Sequence, residues 1–438
     1  MSTFSSTLFK GKRYAVVGLG KNGLPAAVAL RAMGADVVAW DDNPAARAAA
    51  EGLDLRDPAE GTFDFDAVVL SPGIPHRLPK PHPVAQRAIR AGVPILSDVE
   101  LLFRAVRASG SRARFAGITG TNGKSTTTAL LAHILERAGV PVAAGANLGP
   151  AALSLPLLPH HGVYVLEMSS YMLERLASVR FDAAVMLNLS ADHIDRHGDM
   201  AGYAAAKRAV FDRQTREGLA VIGVDDAGSR DMAALLETRP AAVVRVSGAE
   251  VPLTAGPAMP GAHNAQNAAA ATAMARFFGV PDDVIASGLQ SFPGLPHRQQ
   301  RIVTIDGVTF INDSKATNAD AAERALVCYD RLIWIAGGMA KEGGIEPLVP
   351  LFPRIARALL IGRDAPAFAA TLTRHGVRFD MAGTLEAAVP AAFAAAKADD
   401  APIVLLSPAC ASWDQFTGYD QRGDRFAELA LGPRAGGV

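Results

Sequence analysis

Cysteine is scarce: Cys328 and Cys410 are the only two in 438 residues. Two thiols cannot build a disulfide framework, and they are too few for a four-cysteine zinc site. A reducing compartment, the cytoplasm, is the expected setting. Residues 1–13 lack the ordered basic, apolar and cleavage regions of a signal peptide. No run of about 18 apolar residues occurs, so no membrane span is expected. Surplus charge is missing too, since 43 Lys plus Arg balance 43 Asp plus Glu. A general nucleic-acid binder needs excess cations to displace condensed counterions, so nucleic acid is not an expected partner. Anionic small ligands stay open, because a few local Lys and Arg can hold them.

What is present is a core-forming composition, 50% hydrophobic and 20% charged, which excludes a mainly disordered chain. At about 150 residues per domain, the length suggests about three domains. Short β-branched runs alternate with Ala-rich helical stretches, the pattern of parallel sheets covered by helices. Strands are predicted at 14–17, 36–40, 67–70 and 94–96, and after a Ser/Gly/Arg break at 108–114 again at 163–167 and 183–188. Residues 219–224 and 243–246 extend that second block. After the Pro/Gly punctuation at 292–296, strands recur at 308–312, 332–336, 358–361 and 402–406. The reading is α/β in three domains, 1–107, 108–296 and 297–438.

Two glycine loops carry the first chemical signals. Gly18-Leu19-Gly20-Lys21-Asn22-Gly23 follows a strand, opens a helix and is trailed by Asp41 about 20 residues on. This matches the dinucleotide fingerprint: glycines admit a diphosphate to the helix N-terminus, and the acid bonds a ribose or base. A tight turn with no ligand would use the same glycines. The second loop, Gly117-Ile118-Thr119-Gly120-Thr121-Asn122-Gly123-Lys124-Ser125, fails a literal P-loop search because Ile118 stands where a glycine is required. Its parts are nevertheless those of a phosphate site. Backbone N–H groups cradle phosphates, Lys124 reaches the β and γ phosphates, and Ser125 offers a hydroxyl to Mg²⁺. A dehydrogenase has no role for the second loop; a ligase or kinase acting on a nucleotide-linked substrate has a role for both.

Glu167 ends the apolar strand Val163-Tyr164-Val165-Leu166, where P-loop folds place an acid on Mg²⁺; a helix N-terminal glutamate facing the dipole would look the same. Asn188-Leu189-Ser190-Ala191-Asp192-His193-Ile194-Asp195-Arg196-His197 leaves another strand end, and His193 is a candidate metal ligand there. Lys207, in Tyr203-Ala204-Ala205-Ala206-Lys207, reads by itself as a solvated helix lysine.

Taken together, the chain resembles the Mur ligases over essentially its whole length. The resemblance rests on Gly117–Thr126, Glu167-Met168-Ser169-Ser170, Asp192–Arg196, Tyr203–Lys207 and Gly261-Ala262-His263-Asn264-Ala265-Gln266-Asn267. Gly294-Leu295-Pro296-His297-Arg298 and two further runs continue it. These are Asn312-Asp313-Ser314-Lys315-Ala316-Thr317-Asn318 and Ser407-Pro408-Ala409-Cys410-Ala411-Ser412-Trp413-Asp414-Gln415-Phe416, which point to the glutamate-adding branch. It implies a Rossmann-like N-terminal domain for a UDP-linked substrate, a P-loop ATPase-like central domain and a Rossmann-like C-terminal domain for an amino acid. The implied reaction adds D-glutamate to UDP-N-acetylmuramoyl-L-alanine with ATP, through an acyl phosphate, in peptidoglycan precursor synthesis. A monomer is expected.

The resemblance also implies site residues. Gly20, Lys21, Asn22, Asp41, Asp42, Ser71, Gly73, Asn147 and His193 fall to the UDP-substrate. Asn43 stands where the family often has Arg. Gly120 to Thr126, including Thr121, Asn122, Gly123, Lys124 and Ser125, fall to ATP, joined by Asn264, Asn267, Arg298 and Asp313. Lys315, Thr317, Lys341, Ser412 and Tyr419 surround glutamate. Two Mg²⁺ are implied, held by Ser125, Glu167, His193 and Lys207 as its carbamate, an oxygen donor. Lys124, Glu167, His193, Lys207 and Lys315 form the implied catalytic set. A folylpolyglutamate synthase would lack the first glycine loop's domain, and a diaminopimelate-adding relative would carry Asp-Asn-Pro-Arg, which is missing. A non-catalytic nucleotide switch would need Lys124 but not Asp313–Thr317.

Overall fold

The computed structural model describes residues 3–249, 259–341 and 343–432. The chain divides into two compact units, Met1–Thr254 with Asn264–Ser291, and Ala255–His263 with Phe292–Val438. The first unit holds two sheets. One has five parallel strands in the order Asp54–Leu55, Asp36–Trp40, Arg13–Val17, Ala67–Leu70, Ile95–Leu96. The other has six in the order Ala242–Val246, Leu219–Gly223, Ala183–Met186, Arg114–Thr119, Val163–Glu167, Val142–Ala146, again all parallel.

In each sheet the strand order reverses beside the strand that precedes a glycine loop. Parallel α/β sheets open a crevice at the carboxyl ends of the strands at that point. The topology therefore puts Gly18–Gly23 and Gly120–Ser125 where ligands bind. The inner strands are buried on both faces, as helices on both sides require; Val163–Glu167 and Leu219–Gly223 are buried throughout. One continuous core runs through both sheets, from Val16 and Leu30 through Leu101 and Val106 to Tyr164 and Leu166. Phe115 stacks on Tyr164 at 4.8 Å and meets Phe103 edge-on at 5.1 Å, joining the helix Asp98–Ala108 to the second sheet. Each fully buried side chain of this size is worth about 1.5–3 kcal/mol, so the two sheets stabilise one another.

The second unit holds a six-stranded sheet, ordered Gln300–Ile305, Val308–Asn312, Ile403–Leu406, Leu332–Gly337, Ile355–Ile361, Phe379–Gly383. Its first pair is antiparallel and the rest parallel. Sequence alternation predicts parallel strands alone and passes over Gln300–Ile305. The cause is a two-residue turn: Asp306 and Gly307 have φ of 46° and 82°, the doubly positive pattern of a tight hairpin. A small ribbon, Met339–Ala340 against Cys410–Ala411, completes the unit. Among the described residues no helix is long and apolar enough to cross a membrane.

Candidate active site

The first glycine loop is fixed by sterics and by a carboxylate. Gly18 takes φ +88°, and its N–H donates to Trp40 O at 2.8 Å. A Cβ at Gly23 would lie 1.7 Å from Gly18 O, so only glycine lets the helix Gly23–Ala32 start there; Gly20 faces open space. The Ser71 hydroxyl donates to Gly18 O at 2.7 Å, and Gly73 lies in the turn closed by Ile74 N to Ser71 O. Asp41 accepts from Leu19 N at 2.6 Å and Asn43 N at 2.8 Å, so it braces the loop through backbone. Asp42, largely exposed, accepts from Trp40 Nε1 at 3.1 Å and pairs with His82 at 3.2 Å. Asn43 caps the short helix Pro44–Ala48. An arginine absent from the sequence reading is nearby: Arg47 lies 4.4 Å over the Trp40 ring and donates to Asp41 O.

The second loop is held by an amide. Asn188 accepts from Asn122 N at 2.8 Å through its side chain and from Thr121 N at 3.0 Å through its carbonyl, and Asn188 Nδ2 donates to Asn122 O at 3.2 Å. Gly123 takes φ +84°, and a Cβ there would meet Asn267 Oδ1 at 2.4 Å. Asn267 donates to Asn264 Oδ1 at 3.1 Å on the helix Ala262–Phe277, so both adenine-side candidates of this unit are buried, Asn267 against the loop. Ser125 and Thr126 fall in the first turn of the helix Lys124–Arg137.

Two lysines converge on one carbonyl. Lys124 Nζ donates to Gly120 O at 3.0 Å and Thr121 O at 2.8 Å, and Lys207 Nζ donates to the same Gly120 O at 2.8 Å. Lys207 is 1% exposed and lies 4.5 Å from the Tyr203 ring, one helical turn earlier. Burial, with the Lys124 charge beside it, pushes the Lys207 amine well below the ordinary lysine value; Asp192 opposes this weakly. The solvated-lysine reading is therefore corrected: Lys207 is a buried, desolvated amine. His193 sits in the left-handed region at φ 53°, with its ring 4.9 Å from Tyr171 and its Nδ1 2.8 Å from Tyr171 Oη. Burial lowers its pKa, which favours the neutral imidazole a metal ligand needs.

Glu167 ends a strand paired directly with the P-loop strand, Ile118 opposite Glu167. Its Oε1 accepts from Asn147 Nδ2, and its carbonyl from Asn147 N at 3.1 Å. Its Oε2 is buried without a hydrogen-bond partner. A charged oxygen in that position is costly unless a cation meets it. Among the described residues no group of three or more His, Cys, Asp or Glu side chains could hold a metal. The expected donors differ in kind: one carboxylate, one imidazole, a hydroxyl and a lysine carbamate.

In the second unit, Asp313 is 7% exposed and accepts from Ser407 Oγ at 2.8 Å and Gln299 N at 3.2 Å. Burial pushes its carboxyl up to about 7 against those hydrogen bonds and the Arg298 charge. Lys315 Nζ lies 3.7 Å over the Tyr419 ring, a cation–π contact that fixes the ammonium. Ser314 and the buried Arg422 tie this turn to the helix Tyr419–Leu431. Thr317 immediately precedes Asn318, which caps the helix Ala319–Leu326. Ser412, 2% exposed, and Lys341, exposed, each adjoin a strand of the small ribbon.

Sequence reasoning missed the groups that join the two sheets of the first unit. Arg175, 3% exposed, donates to Leu70 O, Ser71 O and Ile74 O, and burial lowers its pKa to about 10. Burial alone would raise the Glu100 carboxyl, but Ser178, Ala177 and Arg104 donate to it and hold it low. Apart from Arg104, four residues on, these partners lie 77 to 105 residues apart, so no local pattern announces them.

Known proteins resemble this chain in sequence and in fold. The Mur ligase middle domain model matches residues 118–252, and the Mur ligase glutamate ligase domain model matches residues 297–410. The chain belongs to the Mur ligase family and is an ATP-dependent ligase. It is 51% identical to a UDP-N-acetylmuramoylalanine–D-glutamate ligase of Paramagnetospirillum magneticum, covering 99% of each chain. To the protein of that name in Rhodospirillum rubrum it is 49% identical, covering 96% of this chain and 94% of that one. Among solved structures, MurF from Acinetobacter baumannii matches with TM-score 0.59 at 17% identity, over 98% of this chain and 93% of that one. The UDP-N-acetylmuramate-alanine ligase MurC of Thermotoga maritima matches with TM-score 0.58 at 18% identity, over 96% and 99%. These two likenesses establish the fold.

Proposed function

We propose that the chain joins D-glutamate to UDP-N-acetylmuramoyl-L-alanine, cleaving ATP to ADP and phosphate, as a step of peptidoglycan precursor synthesis. The observation that carries this reading is the convergence of Lys124 and Lys207 on Gly120 O, in a chain similar end to end to D-glutamate ligases. The Lys124 ammonium faces the triphosphate, and the desolvated Lys207 amine beside it supplies the carbamate that holds metal. The tasks divide by block: residues 1–107 take the UDP-substrate, 108–296 ATP, and 297–438 glutamate. The protein works as a cytoplasmic monomer.

A carboxylate is a poor acyl donor, because its leaving group is oxide-like. The L-alanyl carboxylate oxygen attacks the γ-phosphorus; the bond to the β,γ-bridging oxygen breaks and ADP leaves. The glutamate amine, deprotonated, then attacks the acyl carbon. The tetrahedral intermediate expels phosphate, which takes the attacking carboxylate oxygen with it, and the amide remains. Such phosphoryl transfer is governed by positioning and charge neutralisation. Lys124 neutralises phosphate oxygens, and the Asn147 amide, held by Glu167, lies beside the reacting carboxylate. Asn264 and Asn267 face the adenine; Arg298 and Asp313 serve the remaining nucleotide. Lys315, Thr317, Lys341, Ser412 and Tyr419 supply the cations and hydroxyls that a dicarboxylic amino acid requires.

The residues fit Mg²⁺ as well. The unpartnered Glu167 Oε2 and the desolvated Lys207 amine, which takes up CO₂ as a carbamate, are oxygen donors in need of a cation. Ser125, Glu167, His193 and carbamylated Lys207 would hold it across two sites, where it supplies neutralisation of phosphate charge. The test is phosphate release with ATP, UDP-N-acetylmuramoyl-L-alanine and, in turn, D-glutamate, L-glutamate, lysine and diaminopimelate. Release with D-glutamate alone is expected. No response to D-glutamate overturns the assignment.

A further inference from the structure

One buried acid lies outside every role assigned so far. Asp98 opens the helix Asp98–Ala108 and is 4% exposed. Its Oδ2 accepts from Ala152 N at 3.0 Å and from Asn22 Nδ2 at 3.4 Å. Burial raises its pKa against these bonds, so the site is held at a cost. Apolar side chains of similar volume generally pack at least as well as a buried charge, so stability alone does not account for it.

The partner is informative. Asn22 stands at the N-cap of the helix Gly23–Ala32, yet its side chain makes no capping bond there. Its amide is turned away, to Asp98 and, at 3.4 Å, to Ala146 O. Its neighbour Lys21 reaches the next carbonyl, Asn147 O, also at 3.4 Å. Two successive residues of the first glycine loop thus grip two successive carbonyls where the strand Val142–Ala146 ends and its loop begins. That loop leaves its strand under constraint, because Ala146 takes φ 81°, a conformation that costs a side-chain-bearing residue about 1–3 kcal/mol. Beyond it, Asn147 is fixed on Glu167 by both its backbone and its amide.

We propose that Asp98 is a positioning residue for the ligation: it orients the Asn22 amide, and through it sets the Ala146–Asn147 turn against the first glycine loop. The inference rests on the reading that this glycine loop holds the UDP-substrate and that Asn147 faces its reacting carboxylate. Asp98 touches neither substrate. Its effect reaches the reaction through Asn22, and it belongs to the UDP-substrate side, not the ATP side.

The test uses Asp98→Asn, which keeps volume and one acceptor oxygen, together with Asp98→Ala, Asn22→Ala and the double variant Asn22→Ala/Asp98→Asn. Misplacement of a reacting group by about 1 Å costs up to about a hundredfold, so Asp98→Asn is expected to lower kcat/KM for the UDP-substrate about tenfold, and Asp98→Ala further. KM for ATP should move less than about twofold, since uniform damage would shift both substrates. The double variant should be no worse than Asn22→Ala, because residues acting through one another do not add. An Asp98→Asn enzyme with wild-type kcat/KM, an equal rise in KM for ATP, or additive losses in the double variant would each overturn the positioning role. Wild-type turnover with D-glutamate is the control that separates the two claims. Its absence removes the functional reading itself, whereas its presence beside an unaffected Asp98→Asn removes only this inference.

Discussion

The two glycine loops share a plan, strand to loop to helix at a point where strand order reverses, and differ in what surrounds them. Around Gly18–Gly23 the nearby charges are mostly acids: Asp41 on Leu19 N, Asp42 at the next position and Asp98 on Asn22. Around Gly120–Ser125 the neighbours are a neutral amide, Asn188, and two lysines sharing Gly120 O. Glycines make room for a backbone close to phosphate in both. The neighbours decide how much negative charge is welcome. A loop braced by carboxylates suits a ligand anchored by its base, ribose and sugar; a loop floored by the Lys124 ammonium suits a triphosphate.

The largest way to break this contrast is Lys124→Ala. It should lower kcat about a hundredfold to a thousandfold, as loss of one charge-stabilising donor does, while calorimetric affinity for the UDP-substrate stays within about threefold. Equal damage to both ligands would erase the division of labour. Next is Lys207→Ala, expected to lose about a hundredfold in kcat and to recover part of it when short carboxylic acids are added, since these replace a carbamate's oxygens. Full activity without rescue would remove the carbamate from the account. Third, Gly23→Ala should destabilise by about 1–3 kcal/mol in denaturant unfolding, because its Cβ lands on Gly18 O, whereas Gly20→Ala should be nearly neutral. Equal effects would contradict the packing given for the first loop.

A smaller effect concerns the second unit. Asp313 ordinarily titrates at 3.8 and is raised to about 7 when folded. The folded chain therefore keeps this proton while the unfolded chain has released it. The contribution to stability is fully present below 3.8 and is lost as pH rises through about 7. Between those values wild type should lose stability relative to Asp313→Asn, measured as the difference in denaturation midpoint at each pH. A difference that grows in the opposite direction would contradict the assignment.

Much of this was legible from residues alone, for definite reasons. The inner strands of all three sheets announce themselves as short apolar runs, because both faces are covered. Gly120, Gly123, Lys124 and Ser125 sit close together in sequence, so the phosphate loop is a local pattern. Tyr203 and Lys207, one turn apart, share a helix face, but only the fold shows that face buried on Gly120 O. The strand Gln300–Ile305 does not show in the alternation of strands with helices, which announces parallel pairing, although Asp306-Gly307 carries the hairpin signal. Asp98, Glu100 and Arg175 were invisible for a different reason. Their meaning lies in partners dozens of residues away, on the other sheet of the same unit.

The central claim is that the L-alanyl carboxylate is itself phosphorylated before glutamate attacks. Supplying UDP-N-acetylmuramoyl-L-alanine with ¹⁸O in that carboxylate, together with ATP and D-glutamate, tests it directly. Mass spectrometry of the released phosphate should find one ¹⁸O per molecule from a fully labelled carboxylate, with the other kept in the amide. Unlabelled phosphate, released in step with amide formation, would contradict the account.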